Sequence, residues 1–346
     1  MQRILPTMRR GLASSSWTRF HPRLGYVPEH FASPIYFAKS RLNLPATLHP
    51  YPSGTGHMIE ALSSNTDDAD AIDIGIGLTE GWIAKLARLQ GEGTELPFKL
   101  VGGFVESPLR WAISTGHGRD EIQGAAEGQG AGIQGLKGSK CGISRDGSGS
   151  HVMAKVWAQS MGWMKPSKGS LGKQEANLQF VACGPFPKLR EAVQHSSRKA
   201  DFFKWDHTTS KGFWKDAHPE NPEANLKRVG EFSTPWPSWS IVARAAILDS
   251  QIGREQLSTI LGVLDQSIEQ MYRDRRQIVR DIVQHPELHY SEAEARDWLE
   301  TVRYRENGCA GVDGKMVAET ARRLALAGAA PEMDGDGVAA IVAELG

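Results

Sequence analysis

The chain has 346 residues, of which 40% are hydrophobic, and its 40 basic and 40 acidic side chains leave no net formal charge at pH 7. This length is enough for two domains or one large one, and the apolar content excludes wholesale disorder. The balanced charge argues against a nucleic-acid-binding protein that works through bulk positive charge. No apolar run approaches about 18 residues, so we expect no membrane-spanning helix.

The chain contains only three cysteines, Cys141, Cys183 and Cys309, which lie far apart in the sequence. This pattern is typical of a reducing compartment and provides neither a disulfide framework nor a zinc cluster. The sequence also lacks a P-loop and a metalloprotease H-E-x-x-H motif. We therefore expect neither a bound metal nor a cofactor.

The N-terminal 28 residues contain five arginines and no acidic residue. An Arg-rich, Ser-containing segment of this kind is typical of a mitochondrial transit peptide, and it lacks the apolar core of a secretory signal. The alternative is a disordered leader on a cytoplasmic protein, because Pro6 weakens an amphipathic helix. We expect residues 1–22 to be a leader of one of these kinds, with a cytoplasmic location favoured and a mitochondrial one as the alternative.

Predicted strands alternate with predicted helices over most of the chain. The strands are expected at residues 23–27, 46–51, 72–78, 98–105, 109–115, 140–144, 178–183, 200–204, 226–232 and 238–243. The helices between them are expected at residues 34–40, 55–62, 81–88, 150–162 and 186–194. Such alternation predicts βαβ units and a parallel sheet covered by helices.

The C-terminal part of the chain, after residue 251, is predicted to be helical. Residues 257–272 carry an apolar stripe with a period of 3.6 residues. Ser291 and Glu294 form the pattern of a capping box, which predicts a helix over residues 291–304. A further helix is expected between Asp313 and about residue 327.

Two crossings divide the chain into two lobes, at about residues 105–115 and 232–241. We expect lobe 1 to comprise residues 23–108 and 238–346, and lobe 2 to comprise residues 109–237. Lobe 2 carries three polar insertions, at residues 117–140, 165–176 and 216–225. Two crossings between the same lobes make a hinge, and a ligand then belongs in the cleft, outside the carboxyl ends of the strands.

Two turns rich in small residues, one in each lobe, follow a strand and open a helix. They are residues 53–56 (SGTG) and 144–150 (SRDGSGS). Free N–H groups and the helix dipole favour an anion at such a helix start, and Arg145 adds a guanidinium that binds carboxylate, sulfonate or phosphate. If the lobes face each other, both turns point into one cleft. The alternative is that each turn is an ordinary helix cap.

Other polar and aromatic side chains lie at predicted strand ends. Glu80 is suited to accept hydrogen bonds from an amine or an amidine-like ring, Trp205 offers a stacking face, and His207 is a titrating group. Packing and helix capping are the alternative roles for these residues. The predicted ligand-binding residues are Glu29, His30, Ser53, Gly54, Thr55, Gly56, Thr79, Glu80, Glu106, Ser144, Arg145, Ser148, Gly149, Ser150, Trp205, Asp206, His207 and Trp236. We assign no catalytic residue.

Several of these motifs resemble those of a fungal family with the type II periplasmic-binding-protein fold. The similar segments are 24–31 (LGYVPEHF), 51–58 (YPSGTGHM), 77–81 (GLTEG), 105–115 (VESPLRWAIST) and 234–239 (TPWPSW). The family is related to binding proteins for thiamine pyrimidine precursors, taurine and alkanesulfonates. The resemblance covers about residues 23–272 and implies two α/β lobes that close on a ligand by hinge motion.

We therefore expect an α/β protein with a two-lobed type II periplasmic-binding-protein-like fold, a ligand cleft between the lobes and a helical C-terminal extension. Its function is expected to be soluble, intracellular binding of a polar small molecule, either anionic or pyrimidine-like, with a thiamine-precursor link implied by the resemblance. We expect no nucleic-acid partner and no membrane insertion, and the sequence leaves the oligomeric state open.

Two alternative functions remain open at this point. One is an enzyme of thiamine-pyrimidine metabolism, with His207, His57 or Glu80 as nucleophile or general base. The related thiamine-pyrimidine synthases depend on a cysteine-rich motif and on a lysine that holds pyridoxal phosphate, and the absence of clustered cysteines argues against that activity here. The other is an accessory protein that uses the closed lobe pair as an interaction surface.

Overall fold

The computed structural model describes residues 21–122, 131–167, 174–286, 288 and 290–345. Apart from residues 21 and 22, the predicted leader lies outside this range, as do residues 123–130 and 168–173 of two predicted insertions. The strands are β1 (Arg23–Tyr26), β2 (Thr47–Pro50), β3 (Ile74–Leu78), β4 (Phe98–Val105), β5 (Arg110–Gly116), β6 (Lys140–Ile143), β7 (Met164–Pro166), β8 (Gln174–Ala176), β9 (Gln179–Ala182), β10 (Phe202–Asp206), β11 (Leu226–Ser233) and β12 (Trp239–Arg244).

The helices cover both sheets and form most of the C-terminal part. They are α1 (Ser33–Arg41), α2 (Thr55–Ser63), α3 (Thr79–Gly91), α4 (Ala131–Gln134), α5 (Gly149–Ser160), α6 (Phe186–Ala192), α7 (His207–Lys211), α8 (Ala245–Leu248), α9 (Gln251–Arg273), α10 (Arg275–Gln284), α11 (Glu292–Thr301), α12 (Gly314–Leu326) and α13 (Gly335–Ala340). A short 3-10 helix, His30–Ala32, precedes α1. No helix among the described residues is both long and apolar enough to cross a lipid bilayer.

Two five-stranded sheets form the framework of the molecule. The first has the strand order β2-β1-β3-β12-β4 and the second β11-β5-β10-β6-β9. With the helices that cover them, the sheets confirm the predicted two-lobed α/β architecture with its helical C-terminal region. The residue limits of the lobes, at 108/109 and 237/238, stay a prediction.

Both sheets are mixed, so the prediction of parallel sheets was wrong. In the first sheet β12 pairs antiparallel with β3 and β4, and in the second β5 pairs antiparallel with β10 and β11. These two strands are the ones that begin directly after a crossing between the sheets. Each starts at the junction of the lobes and runs away from it, whereas the other strands of both sheets end at that junction.

The two crossings are hydrogen-bonded to each other. The Thr234 N–H donates to the Leu109 carbonyl at 3.0 Å, and the Leu109 N–H donates to the Thr234 hydroxyl at 2.9 Å. The Ser238 hydroxyl donates to the Ser107 carbonyl at 2.8 Å. The chain segment after α11 is also bonded to the first crossing, because the Arg303 N–H donates to the Ser107 hydroxyl at 3.1 Å. The lobes are thus linked through one bonded hinge.

Several predicted boundaries differ from the structure. The polar insertion at residues 165–176 contributes to a hairpin, in which β7 and β8 pair antiparallel. The helix expected at 81–88 begins at Thr79, so residues 79 and 80 lie in the first turn of α3. Strand β10 extends to Asp206, because its last residues continue the pairing with β5.

The C-terminal helices belong to the hydrophobic core of the first lobe. The predicted apolar stripe of α9 is buried, and the helix packs against α1. Helix α12 packs in the same way against α3. The predicted capping box of Ser291 and Glu294 is present at the start of α11, which ends at Thr301.

Truncation of a buried side chain in α9 tests this core. Leu264 is fully buried, whereas Ile252 on the same helix is 57% exposed. Leu264→Ala is expected to lower the free energy of unfolding by about 2–5 kcal/mol, because it leaves a cavity. The control Ile252→Ala should change it by less than about 0.5 kcal/mol. Urea denaturation followed by tryptophan fluorescence measures both, and equally small effects would show that α9 lies outside the core.

Candidate ligand-binding site

A cavity of about 760 Å³ lies at the junction of the two lobes, where strands of both sheets end. Its volume is within the range that small-molecule sites usually have. The first lobe contributes Val27, Pro28, Glu29 and Pro52. The second lobe contributes Phe186, Pro187, Trp205, Thr208, Thr209, Gly212, Phe213, His218, Asn221 and Glu223. The C-terminal part contributes Leu288, Tyr290, Ser291 and Glu294.

One wall of the cavity is aromatic. The ring centroid of Phe186 lies 5.5 Å from that of Trp205 and 5.4 Å from that of Phe213. All three side chains are half-buried. The guanidinium carbon of Arg190, which does not line the cavity, lies 3.6 Å from the Phe213 centroid. This wall offers flat apolar surface on which a ring of a ligand can stack.

Glu29 brings a carboxyl group into the cavity from the turn after β1. The group forms no hydrogen bond or ion pair with any residue that the structure describes, and the residue is half-buried. Burial, together with the nearby charge of Asp206, raises the pKa of Glu29 to about 8. The carboxyl is therefore largely protonated at neutral pH while the cavity holds no charged partner.

A hydrogen-bonded group next to this cavity joins three parts of the chain. The Nδ1 atom of His30, in the first lobe, lies 2.7 Å from the hydroxyl of Tyr290. That hydroxyl lies 3.2 Å from the hydroxyl of Thr209, in the second lobe. The Nε2 atom of His30 lies 3.9 Å from Oδ1 of Asp206, which caps α7 by accepting from the Thr209 N–H. The lobes are thus in contact through polar side chains, of which His30 and Asp206 are buried and Tyr290 and Thr209 half-buried.

Burial sets the charge of this group. Burial lowers the pKa of His30 to about 3 and raises that of Asp206 to about 6. Burial also raises the pKa of Tyr290 above its ordinary value. The imidazole of His30 and the Tyr290 hydroxyl are therefore neutral at pH 7, whereas the Asp206 carboxyl is mostly ionised.

The two predicted small-residue turns lie against each other, but neither lines the 760 Å³ cavity. A Cβ atom placed on Gly56 would lie 1.6 Å from Nη2 of Arg145, so the guanidinium rests on the first turn of α2. A Cβ atom on Gly149 would lie 2.8 Å from Cδ1 of Leu78, at the end of β3. The side chain of Arg145 forms no hydrogen bond or ion pair with the described residues.

Most of the other residues of these turns are engaged within their own lobe. The Thr55 hydroxyl accepts from the Leu78 N–H at 2.9 Å. The Ser150 hydroxyl lies 3.2 Å from that of Ser144 and 3.0 Å from that of Ser148, which caps α5. Ser53 is exposed. Gly54 precedes α2 with a φ of 83°, a left-handed conformation that favours glycine.

Glu80 and Trp236 are paired beside the hinge and do not line the cavity. Oε2 of Glu80 accepts from Nε1 of Trp236 at 3.0 Å, whereas Oε1 has no hydrogen-bond partner among the described residues. Glu80 is fully buried, and burial raises its pKa to about 7. Thr79 is likewise buried, and its hydroxyl lies 2.7 Å from that of Ser240.

The remaining predicted site residues lie outside the cavity as well. His207 is 3.3 Å from Nη2 of Arg110 and 3.6 Å from Oε2 of Glu231, and burial lowers its pKa to about 4. Glu106 is exposed and lies 3.8 Å from Arg305. Of the predicted set, Glu29 and Trp205 line the cavity, while His30 and Asp206 form the polar group beside it.

Several lining residues were not predicted from the sequence. Tyr290 and Glu294 lie in the C-terminal extension, which the resemblance to the fungal family does not cover. Phe186 begins α6 after strand β9, Phe213 follows helix α7, and neither belongs to a sequence motif that indicates a ligand site. A possible signal was the position of Tyr290 directly before the capping box, which places it at a helix start.

Glu80→Gln tests the charge state of the buried carboxyl. The pKa of Glu80 is higher in the folded protein than the ordinary 4.5, so ionisation destabilises the fold as pH rises from about 4.5 to about 7. The glutamine can still accept from Trp236 and cannot ionise. We expect the variant to gain stability relative to the parent by more than about 1 kcal/mol between pH 5 and pH 8. Urea denaturation at both pH values measures this, and a difference that is independent of pH would contradict it.

Comparison with known proteins places this geometry in a known fold. A model of the Ca3427-like periplasmic-binding-protein family matches residues 111–232. The Candida albicans CA3427 gene product, described as having the generic periplasmic binding protein fold, superposes with a TM-score of 0.75 at 27% identity, over 94% of this chain and 96% of that one. Comparison with curated proteins gave no match.

Two other solved structures are more distant in sequence. The periplasmic nitrate-binding protein NrtA from Synechocystis superposes with a TM-score of 0.63 at 13% identity, over 92% of this chain and 84% of that one. The periplasmic sulfonate-binding protein SsuA from Methylobacillus flagellatus does so with a TM-score of 0.55 at 14% identity, over 94% and 92%. The predicted type II periplasmic-binding-protein fold is confirmed, and with it a fold that binds small molecules.

Proposed function

We propose that this protein is a binding protein that closes its two lobes on a small polar metabolite held in the 760 Å³ cavity. The observation that carries the proposal is the composition of the cavity wall, to which both lobes and the C-terminal part contribute. A ligand in this position contacts all three parts and therefore favours the closed arrangement over an open one. The three sequence-based candidates for a general base, His207, His57 and Glu80, do not line the cavity, so we propose binding without turnover.

Of the two expected ligand classes, an anionic and a pyrimidine-like small molecule, the cavity wall favours the pyrimidine-like one. The lining residues include three glutamates and no lysine or arginine among those described. The aromatic wall of Phe186, Trp205 and Phe213 suits a flat ring, and carboxyl and hydroxyl groups suit its hydrogen-bond donors. Pyrimidine precursors of thiamine belong to this class. We propose such a ring as the ligand.

An anionic ligand is the second candidate, at a different place in the junction. The observation that favours it is the unpaired guanidinium of Arg145 against the first turn of α2. The helix dipole stabilises an anion near a helix start, and a guanidinium at the same place adds a second favourable interaction with it. Substitution of Trp205 in the cavity and of Arg145 at the turns distinguishes the two positions.

A thermal-shift screen of the full chain tests both candidates. The compounds are thiamine-precursor pyrimidines, sulfonates, carboxylates and phosphates. A ligand at 100 times its Kd should stabilise the fold by about 2.7 kcal/mol. For a ligand in the cavity, Trp205→Ala should weaken binding at least about tenfold, or about 1.4 kcal/mol, and Arg145→Ala by less than about threefold.

The reverse order of these two effects would assign the ligand to the turns at residues 53–56 and 144–150. Phe180→Ala serves as the aromatic control, because Phe180 is half-buried in the second lobe and does not line the cavity. It should leave the affinity unchanged. The absence of any stabilising compound in all four classes would contradict the proposed function.

A further inference from the structure

We infer that the cavity selects an organic cation, a flat ring bearing a protonated nitrogen that pairs with the carboxylate of Glu29 while the ring lies against Trp205 and Phe186. This inference rests on the proposed function, because it names the ligand class of the same cavity. It differs from the sequence-based expectation, which left an anion and a pyrimidine-like ring as equal alternatives.

The carboxyl groups of the cavity differ in their partners. Glu294 is occupied, since Oε2 accepts from the N–H and the hydroxyl of Ser291 and Oε1 lies 3.5 Å from Nε2 of His218. Glu223 is exposed and lies 4.0 Å from Nη1 of Arg190. Among the described lining residues, Glu29 is the carboxyl that has neither a hydrogen bond nor an ion pair. Its oxygens therefore remain available to a ligand in the cavity.

The surroundings of Glu29 disfavour an anion and favour a cation. Asp206, at the end of β10, adds a second negative charge close to Glu29. Tyr290 and His30 are neutral at pH 7, and neither supplies a counter-charge. Buried carboxylates are strongly stabilised by an opposite charge within hydrogen-bond distance, whereas an anion there would face the negative charge of Asp206, and that of Glu29 as well at the pH values where Glu29 is ionised.

No lysine or arginine among the described residues lines the cavity, and none lowers the pKa of Glu29. Arg190 stacks on Phe213, and Arg110 is bonded to Glu231 and His207. His218 lies against Glu294. The half-buried aromatic rings add to the preference, because the faces of tryptophan and phenylalanine attract cations.

The affinity of the cavity for a cation should depend on pH. A cation pairs with the ionised form of Glu29, whose pKa burial raises to about 8 in the cavity. Below that pH, binding must therefore expel the proton of the carboxyl. The affinity for a cation should rise about tenfold per pH unit between about pH 6 and pH 8 and level off above, whereas the affinity for a neutral ring should not change in this way.

Three molecules of matched shape test the ligand class with the full chain: benzamidinium, benzamide and benzoate, which carry a positive, no and a negative charge. Isothermal titration calorimetry at pH 8 should give benzamidinium an affinity at least tenfold higher than that of benzamide, with benzoate the weakest. At pH 7, titrations in two buffers of different ionisation enthalpy should show release of about one proton per benzamidinium. Equal or reversed affinities, or no binding of benzamidinium, would overturn the inference.

Glu29→Gln tests whether Glu29 is the group that causes the preference for the cation. This variant should bind benzamide as the parent does, but lose the preference for benzamidinium, its pH dependence and the proton release. Retained benzamide binding shows that the cavity is folded. Glu269→Gln, at an exposed carboxylate on α9, is the control and should behave as the parent in all three measurements. A benzamidinium preference that persists in Glu29→Gln would contradict the assignment.

The outcomes separate this inference from the proposed function. A thermal-shift ligand that is neutral or anionic and depends on Trp205 leaves the binding function in place and overturns the cation preference. A screen without any ligand contradicts both. Benzamidinium binding that depends on both Trp205 and Glu29 supports both.

Discussion

The contact between the imidazole of His30 and the hydroxyl of Tyr290, 2.7 Å long, is the point on which the junction of the lobes depends. Tyr290 reaches Thr209 in the second lobe from there, and the other nitrogen of His30 faces Asp206. The imidazole is buried, so a positive charge on it would be costly and the contact is made between neutral groups. This arrangement brings the first lobe, the second lobe and the C-terminal part to one side of the cavity.

Much of the fold could be predicted from the sequence because it follows from local patterns. Periodicity located the strands and helices to within a few residues, and the capping box of Ser291 and Glu294 is present as predicted. The direction of β5 and β12 could not be obtained in this way. It depends on where the chain enters each sheet after a crossing, which is a property of the whole topology rather than of the strand's own residues.

The candidate site was predictable only in part, for the same reason. Glu29, Trp205 and Asp206 were found because polar and aromatic residues at strand ends point to a ligand site. Tyr290, Phe213 and Glu294 were not assigned to the site, since tertiary packing brings them to the cavity and the capping box of Ser291 and Glu294 indicates a helix start rather than a ligand site. The turns at residues 53–56 and 144–150 do meet, but they meet each other, and their part in ligand binding stays a prediction.

The chain after α11 is hydrogen-bonded to the hinge, so α11 connects the hinge to the cavity. Its 10 residues span about 15 Å, from the neighbourhood of Arg303 at the hinge to Tyr290 at the cavity. A rotation of the second lobe about the hinge moves Thr209 relative to a Tyr290 that stays with the first lobe. Because side-chain hydroxyls separated by more than about 3.5 Å are no longer hydrogen-bonded, a small rotation is enough to break their contact of 3.2 Å.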